Sequence, residues 1–136
     1  MKELVIEAER KNLPIVQAFI DEQLEAAGCP PPTQIMIDVA VEEIFVNIAS
    51  YAYSPETGTV IIQVNVLDNP LSAKITFIDH GRPYNPLEKP DPDTTLTVRQ
   101  RKIGGLGIYM VKQSMDRGIY EYRDGKNFFT MEKLLC

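Results

Sequence analysis

The sequence predicts an α+β fold, a two-layer α/β sandwich in which three helices lie on one face of a mixed, mostly antiparallel sheet. Three features point there. Helical apolar spacing fills two long segments before residue 54 and one after residue 104, and period-two alternation fills the other patterned segments. The strands after residue 58 follow one another as hairpin partners, without the strand-helix-strand alternation of a doubly wound parallel sheet. With 136 residues, one well-buried core is expected, and hence a single domain over 1–136.

From the N-terminus, "ELVIEAE" (3–9) alternates, with Leu4, Ile6 and Ala8 on one face, and predicts a short strand. In "NLPIVQAFIDEQLEAAGC", Asn12 stands as N-cap and Pro14 falls in the first turn. Val16, Phe19, Ile20, Leu24 and Ala27 repeat at helical spacing, and Gly28 stops the helix. The prolines at 30–32 break the chain, Thr33 offers a cap, and "QIMIDVAVEEIFVNIASYAY" carries a second helix to about Tyr53. Val60, Ile62, Val64 and Val66 then share one face of a strand over 59–68, as do Ala73, Ile75 and Phe77 in a strand over 72–79. The stretch from His80 to Ile103 holds four prolines, is too polar for core and is long for a passive connection. Such a segment suits a lid, placed at about 84–103. "GGLGIYMVKQSMD" predicts a third helix opened by a glycine-rich turn, with Ile108, Val111 and Met115 inward. "GIYEYRDGKNFFTMEKL" predicts two strands around a tight turn at Asp124-Gly125.

Composition narrows the chemistry. At 44% hydrophobic and 24% charged the chain reads as soluble, and no apolar run is long enough to span a bilayer. "MKELVIEAERKN" offers no signal-peptide core, so a cytoplasmic location is expected. A net charge of −5 argues against direct nucleic-acid binding. Cys29 and Cys136 lack metal-ligand spacing and read as free thiols, and the lone His80 cannot build a zinc site or a histidine-based triad with another imidazole.

Three pieces carry chemistry. On the second helix, at about 100° per residue, Val41, Ile44, Ile48 and Ala52 form the core stripe. Glu43 and Asn47, one turn apart, stack on its flank, where a carboxylate and a carboxamide can hold a water and a hard cation such as Mg²⁺. A solvated helix flank is the competing reading. "DHGRPYNP" (79–86) opens with Asp79 at the inward parity of Phe77, so its carboxylate needs a donor, and a ligand amine would serve. Gly81 permits close backbone approach and Pro83 stiffens the exit, although an Asp-capped turn would use the same residues. Lastly, Gly104, Gly105, Leu106 and Gly107 open a helix, where backbone N–H groups favour anions such as polyphosphate. Arg99, Arg101 and Lys102 precede them, within reach of phosphate oxygens or simply solvated. The pattern is neither a Walker A loop nor a G-x-G-x-x-G fingerprint.

The order "EEIFVN" on a helix, "DHGRP" at a strand end, a long lid and "GGLG" into a helix resembles the GHKL superfamily of histidine kinase-like ATPases. Within it the chain is most similar to the bacterial anti-sigma factor serine-protein kinases, over nearly its whole length. The resemblance implies a Bergerat-type sandwich binding ATP and Mg²⁺. It implies Glu43 as the general base, Asn47 as the Mg²⁺ ligand and Asp79 as acceptor for the adenine amino group, walled by Gly81 and Pro83. Gly105, Leu106 and Gly107 would lie against the phosphates, Thr130 near the adenine, and Arg101 at the terminal phosphate. Tyr51 departs from the pattern, standing where relatives often carry a histidine. With no histidine but His80, and no length for a dimerising hairpin or a transducer domain, a complete sensor histidine kinase is not expected.

The function so implied is that of an ATP-binding anti-sigma factor that phosphorylates a serine or threonine of an anti-anti-sigma antagonist. Its partners would be a sigma factor and that antagonist, and homodimerisation is a further expectation. An ATP-binding regulatory module without phosphotransfer is the alternative, and a scaffold with a vestigial pocket the third possibility.

Overall fold

A computed structural model describes residues 1–88 and 105–135. Five strands are formed, β1 (Lys2–Glu7), β2 (Thr59–Leu67), β3 (Ser72–Asp79), β4 (Arg117–Arg123) and β5 (Lys126–Leu134). The helices are α1 (Leu13–Ala26), α2 (Pro31–Asn47) and α3 (Gly105–Ser114). The strands stand in the order β1-β2-β3-β5-β4, and every neighbouring pair is antiparallel. This corrects the expectation of a mixed sheet. β3 and β4 run parallel, as strands joined through a helix often do, but β5 folds back between them and removes the parallel pairing.

The core lies on one side of the sheet. Val60, Ile62 and Val64 of β2, Ala73, Ile75 and Phe77 of β3, and Phe129 and Met131 of β5 are buried. They meet Val16, Ile20 and Leu24 of α1, Ile37, Val41 and Ile44 of α2, and Ile108 and Val111 of α3 in one cluster. Each large aliphatic or aromatic side chain so buried contributes about 1.5–3 kcal/mol. Val66 does not join the stripe; it is exposed beside the β2–β3 turn.

Helix boundaries depart from expectation where proline and polar side chains act locally. α2 begins at Pro31 after an extended Pro30, because first-turn positions need no N–H; Thr33 is therefore inside the helix and caps nothing. Asn12 holds the expected N-cap position of α1 but its side chain makes no cap bond, since its amide donates to the Glu7 carbonyl at 3.0 Å, and a short 3₁₀ turn over Arg10–Asn12 leads into α1. After Asn47 the chain widens into a π-helical turn, Ile48–Ala52, so the second helical segment changes pitch just past the asparagine. α3 stops at Ser114, with Met115 buried immediately beyond it. Among the described residues no helix is long and apolar enough to cross a membrane.

Candidate functional site

The site forms where the end of β3 meets the end of α2. Asp79 is the last residue of β3, paired in register with Val60 on one side and Asn127 on the other, and it is 4% exposed. Its Oδ1 accepts the Gly81 N–H at 2.9 Å and the Asn127 side-chain amide at 2.9 Å. The Asx-type turn and the buried carboxylate are thus both present in the same residue. Burial pushes the Asp79 carboxyl above its ordinary range, opposed by the Asn127 amide, the Gly81 N–H and nearby His80.

Gly81 is required by close approach. A Cβ there would lie 2.6 Å from Ala52 Cβ and 2.7 Å from the Ala52 carbonyl carbon. The adjacent Arg82 N–H donates to the Ala52 carbonyl at 3.1 Å, and the Arg82 guanidinium reaches the Ser54 carbonyl. The π turn after α2 is thereby fastened to the turn after β3, bringing Asn47 and Asp79 to one cavity.

That cavity has a volume of about 40 Å³, with Asn47, Tyr51, Asp79, Tyr84, Tyr120 and Asn127 among its walls. A groove of about 620 Å³, lined by Pro83, Tyr84, Asn85, Glu88, Tyr120 and Tyr122, adjoins it through the shared walls Tyr84 and Tyr120. The inner notch alone is far below the roughly 300–1,000 Å³ typical of small-molecule sites, so a ligand seated against Asp79 needs more room than the notch itself holds.

Asn47 Nδ2 is buried and has no hydrogen-bond partner among the described residues. A buried amide without a partner is costly, by about 1–3 kcal/mol, and a ligand oxygen would relieve it; with the carboxamide turned over, its oxygen would present itself to a cation. One turn earlier, Glu43 lies against Gly107 in the first turn of α3, so closely that a Cβ at Gly107 would fall within the carboxyl group. The helix N-terminus favours that negative charge. A carboxylate, an orphaned carboxamide and a glycine-faced helix start therefore meet at one end of the sandwich, a donor set that fits a nucleotide with its Mg²⁺.

Of the sequence-predicted residues, Glu43, Asn47, Asp79, Gly81, Pro83 and Gly107 gather here. Gly105 and Leu106 lie in the first turn of α3. Arg101 and residues 89–103 of the expected lid lie outside the described residues. Thr130 is a correction. On β5 the inward residues are Asn127, Phe129 and Met131, so Thr130 faces the other side of the sheet. There its hydroxyl meets that of Thr76 at 3.0 Å, and it lines a surface hollow with Lys74 and Arg123. The polar residue of β5 that reaches Asp79 is Asn127, 5% exposed. Its inward parity with Phe129 and Met131 was the signal that could have found it. Tyr84 and Tyr120 were also missed; both hydrogen-bond Asn127 Oδ1, through the Tyr84 N–H at 3.2 Å and the Tyr120 hydroxyl.

Comparison with known proteins identifies the family and the fold. No curated protein matches the sequence. Among solved structures, the fold is similar to the histidine kinase domain from the Erythrobacter litoralis EL346 blue-light activated histidine kinase, at a TM-score of 0.55 and 15% identity. That match covers 93% of this chain and 60% of the other, so this chain spans less than two thirds of its structural relative. The family profile described as "Histidine kinase-like ATPase domain" matches residues 6–133. The chain belongs to the histidine kinase-like ATPase domain family.

Proposed function

We propose that the chain is an ATP-binding regulatory protein that transfers the terminal phosphoryl group to a serine or threonine of a partner protein. The observation that carries the reading is the convergence of buried Asp79, orphaned Asn47 and Glu43 against Gly107 at one end of the sandwich. Bound ATP would supply the phosphoryl group, and Mg²⁺ would disperse its charge. Asp79 would accept the adenine amino group, the base lying between the π turn and the tyrosine wall. Asn47 would hold the cation, and the first turn of α3 would direct its N–H groups at the phosphates. Glu43 would take the proton of the attacking hydroxyl as the new O–P bond forms and the bond to the departing ADP oxygen breaks. The protein partners, a sigma factor and its serine-bearing antagonist, and a homodimeric state rest on the motif resemblance.

The test separates binding from transfer. Wild type and Glu43→Gln should bind ATP with similar affinity, while only wild type passes label from γ-labelled ATP to an antagonist protein. Equal labelling by both would remove Glu43 from the chemistry, and binding without transfer by wild type would favour the regulatory module alone.

A further inference from the structure

Asn127 uses every polar atom of its side chain inside the protein. Its Nδ2 donates to Asp79 Oδ1 at 2.9 Å, to the Arg82 carbonyl at 3.0 Å and to the Gly81 carbonyl at 3.3 Å. Its Oδ1 accepts the Tyr84 N–H and the Tyr120 hydroxyl, and that hydroxyl also accepts the Tyr84 N–H at 3.2 Å. With two N–H groups shared among three acceptors and an oxygen taken twice, no capacity is left for a ligand. Yet the side chain lies in the wall of the cavity and touches the carboxylate at its base.

We propose that Asn127 is a positioning residue for base recognition, which, braced by Tyr120, fixes the Asp79 carboxyl with its accepting oxygen turned to the cavity and so selects a base that presents an amino group. The proposal rests on the nucleotide reading above and deepens it. An ionised carboxylate cannot donate, so it repels a base that presents a carbonyl at the same place. Burial opposes ionisation, and the Asn127 amide is the largest influence acting against burial. The other ionisable groups around Asp79 are His80 next to it, Tyr53 beyond the π turn, whose hydroxyl accepts the His80 N–H at 2.8 Å, Tyr120 on β4, Tyr51 and Tyr84 in the same cavity wall, and Arg82, whose guanidinium is turned to the Ser54 carbonyl. His80 favours the carboxylate, whereas a neutral tyrosine supplies no charge. Deleting the amide therefore leaves burial weakly opposed, and the protonated carboxyl can then donate to a carbonyl.

The experiment compares wild type, Asn127→Leu, Asn127→Thr and Tyr120→Phe. ATP and inosine triphosphate, whose base carries a carbonyl in place of the amino group, are titrated at pH 6 and pH 8. Asp79 carboxyl resonances are followed by NMR without nucleotide. Asn127→Leu should lose about tenfold in ATP affinity, the worth of one hydrogen bond to a charged group. Its preference for ATP over inosine triphosphate should fall further at pH 6 than at pH 8. The Asp79 titration should move upward in Asn127→Leu and partly return in Asn127→Thr, which keeps a hydroxyl donor. If Asn127→Leu does not fold, Asn127→Thr and Tyr120→Phe carry the same comparison with smaller shifts. An equal, pH-independent loss for both nucleotides with an unmoved Asp79 titration would overturn the positioning role while leaving the nucleotide reading intact. If wild type binds neither nucleotide, the nucleotide reading falls and the role in base selection falls with it, while the Asp79 titration still reports whether Asn127 holds the carboxylate.

Discussion

Replacing Asp38 by asparagine should remove a pH dependence from the stability of this fold. Asp38 on α2 faces Asp21 on α1 within hydrogen-bonding reach, and one oxygen of each, Asp21 Oδ1 and Asp38 Oδ1, is buried without a donor among the described residues. Two acceptors facing each other are satisfied by one shared proton. Burial first, then Asp21 and then Glu25, push the Asp38 carboxyl from 3.8 up to about 7. Glu25, also on α1, accepts the Gln34 side-chain amide at 3.3 Å, and the Cys29 thiol between the helices is itself pushed up by burial and by Asp38. The folded state binds this proton more tightly than the unfolded chain does. The associated stability is therefore full below pH 3.8, declines as pH rises, and is gone above pH 7. Fully expressed, such a displacement is worth about 4 kcal/mol; both carboxyls are only half-buried, and screening brings it to about 1–2 kcal/mol. Asparagine supplies a donor at every pH. Urea unfolding of wild type and Asp38→Asn at pH 5 and pH 8 should show the variant gaining about 1–2 kcal/mol relative to wild type at the higher pH, or about 4 °C in Tm per kcal/mol. A difference between the two proteins that stays constant from pH 5 to pH 8 would refute the shared proton.

The remaining predictions concern close approach and sheet face. Gly81→Ala should destabilise by about 2–3 kcal/mol, because a Cβ 2.7 Å from the Ala52 carbonyl carbon meets backbone that cannot swing aside, and thermal unfolding would measure it. Thr130→Val should leave nucleotide affinity unchanged, since Thr130 faces away from the cavity. Its loss of the Thr76 hydroxyl contact should cost about 1 kcal/mol in a urea titration.

The architecture was readable where one periodicity dominates. Val60, Ile62 and Val64 alternate without interruption and land in the core, and the parity that places Asp79 beside Phe77 also places it in the cavity. Glu43 and Asn47 were readable as flank neighbours because helical spacing alone relates them. What required coordinates was anything set by pairing between distant segments. The register that puts Asn127 opposite Asp79 depends on how β5 slides along β3, which no local pattern states, and the nearby threonine at 130 carried the family motif to the wrong face. The π turn after Asn47 has no period of its own in the sequence, yet its docking on Gly81 is what joins the two halves of the site. The first helix begins where Asn12 marks it, but Asn12 spends its amide on the Glu7 carbonyl, a tertiary choice that cap preference does not foresee, and the second begins two residues before the expected cap at Thr33.

The most direct test of the account is calorimetric titration of ATP with Mg²⁺ into wild type and Asp79→Asn. The account predicts saturable one-site binding by wild type and its loss, by at least about tenfold, in the variant, whose amide presents a donor as well as an acceptor to the adenine amino group. Absence of binding by wild type, or equal binding by both proteins, would contradict the placement of the nucleotide base on Asp79.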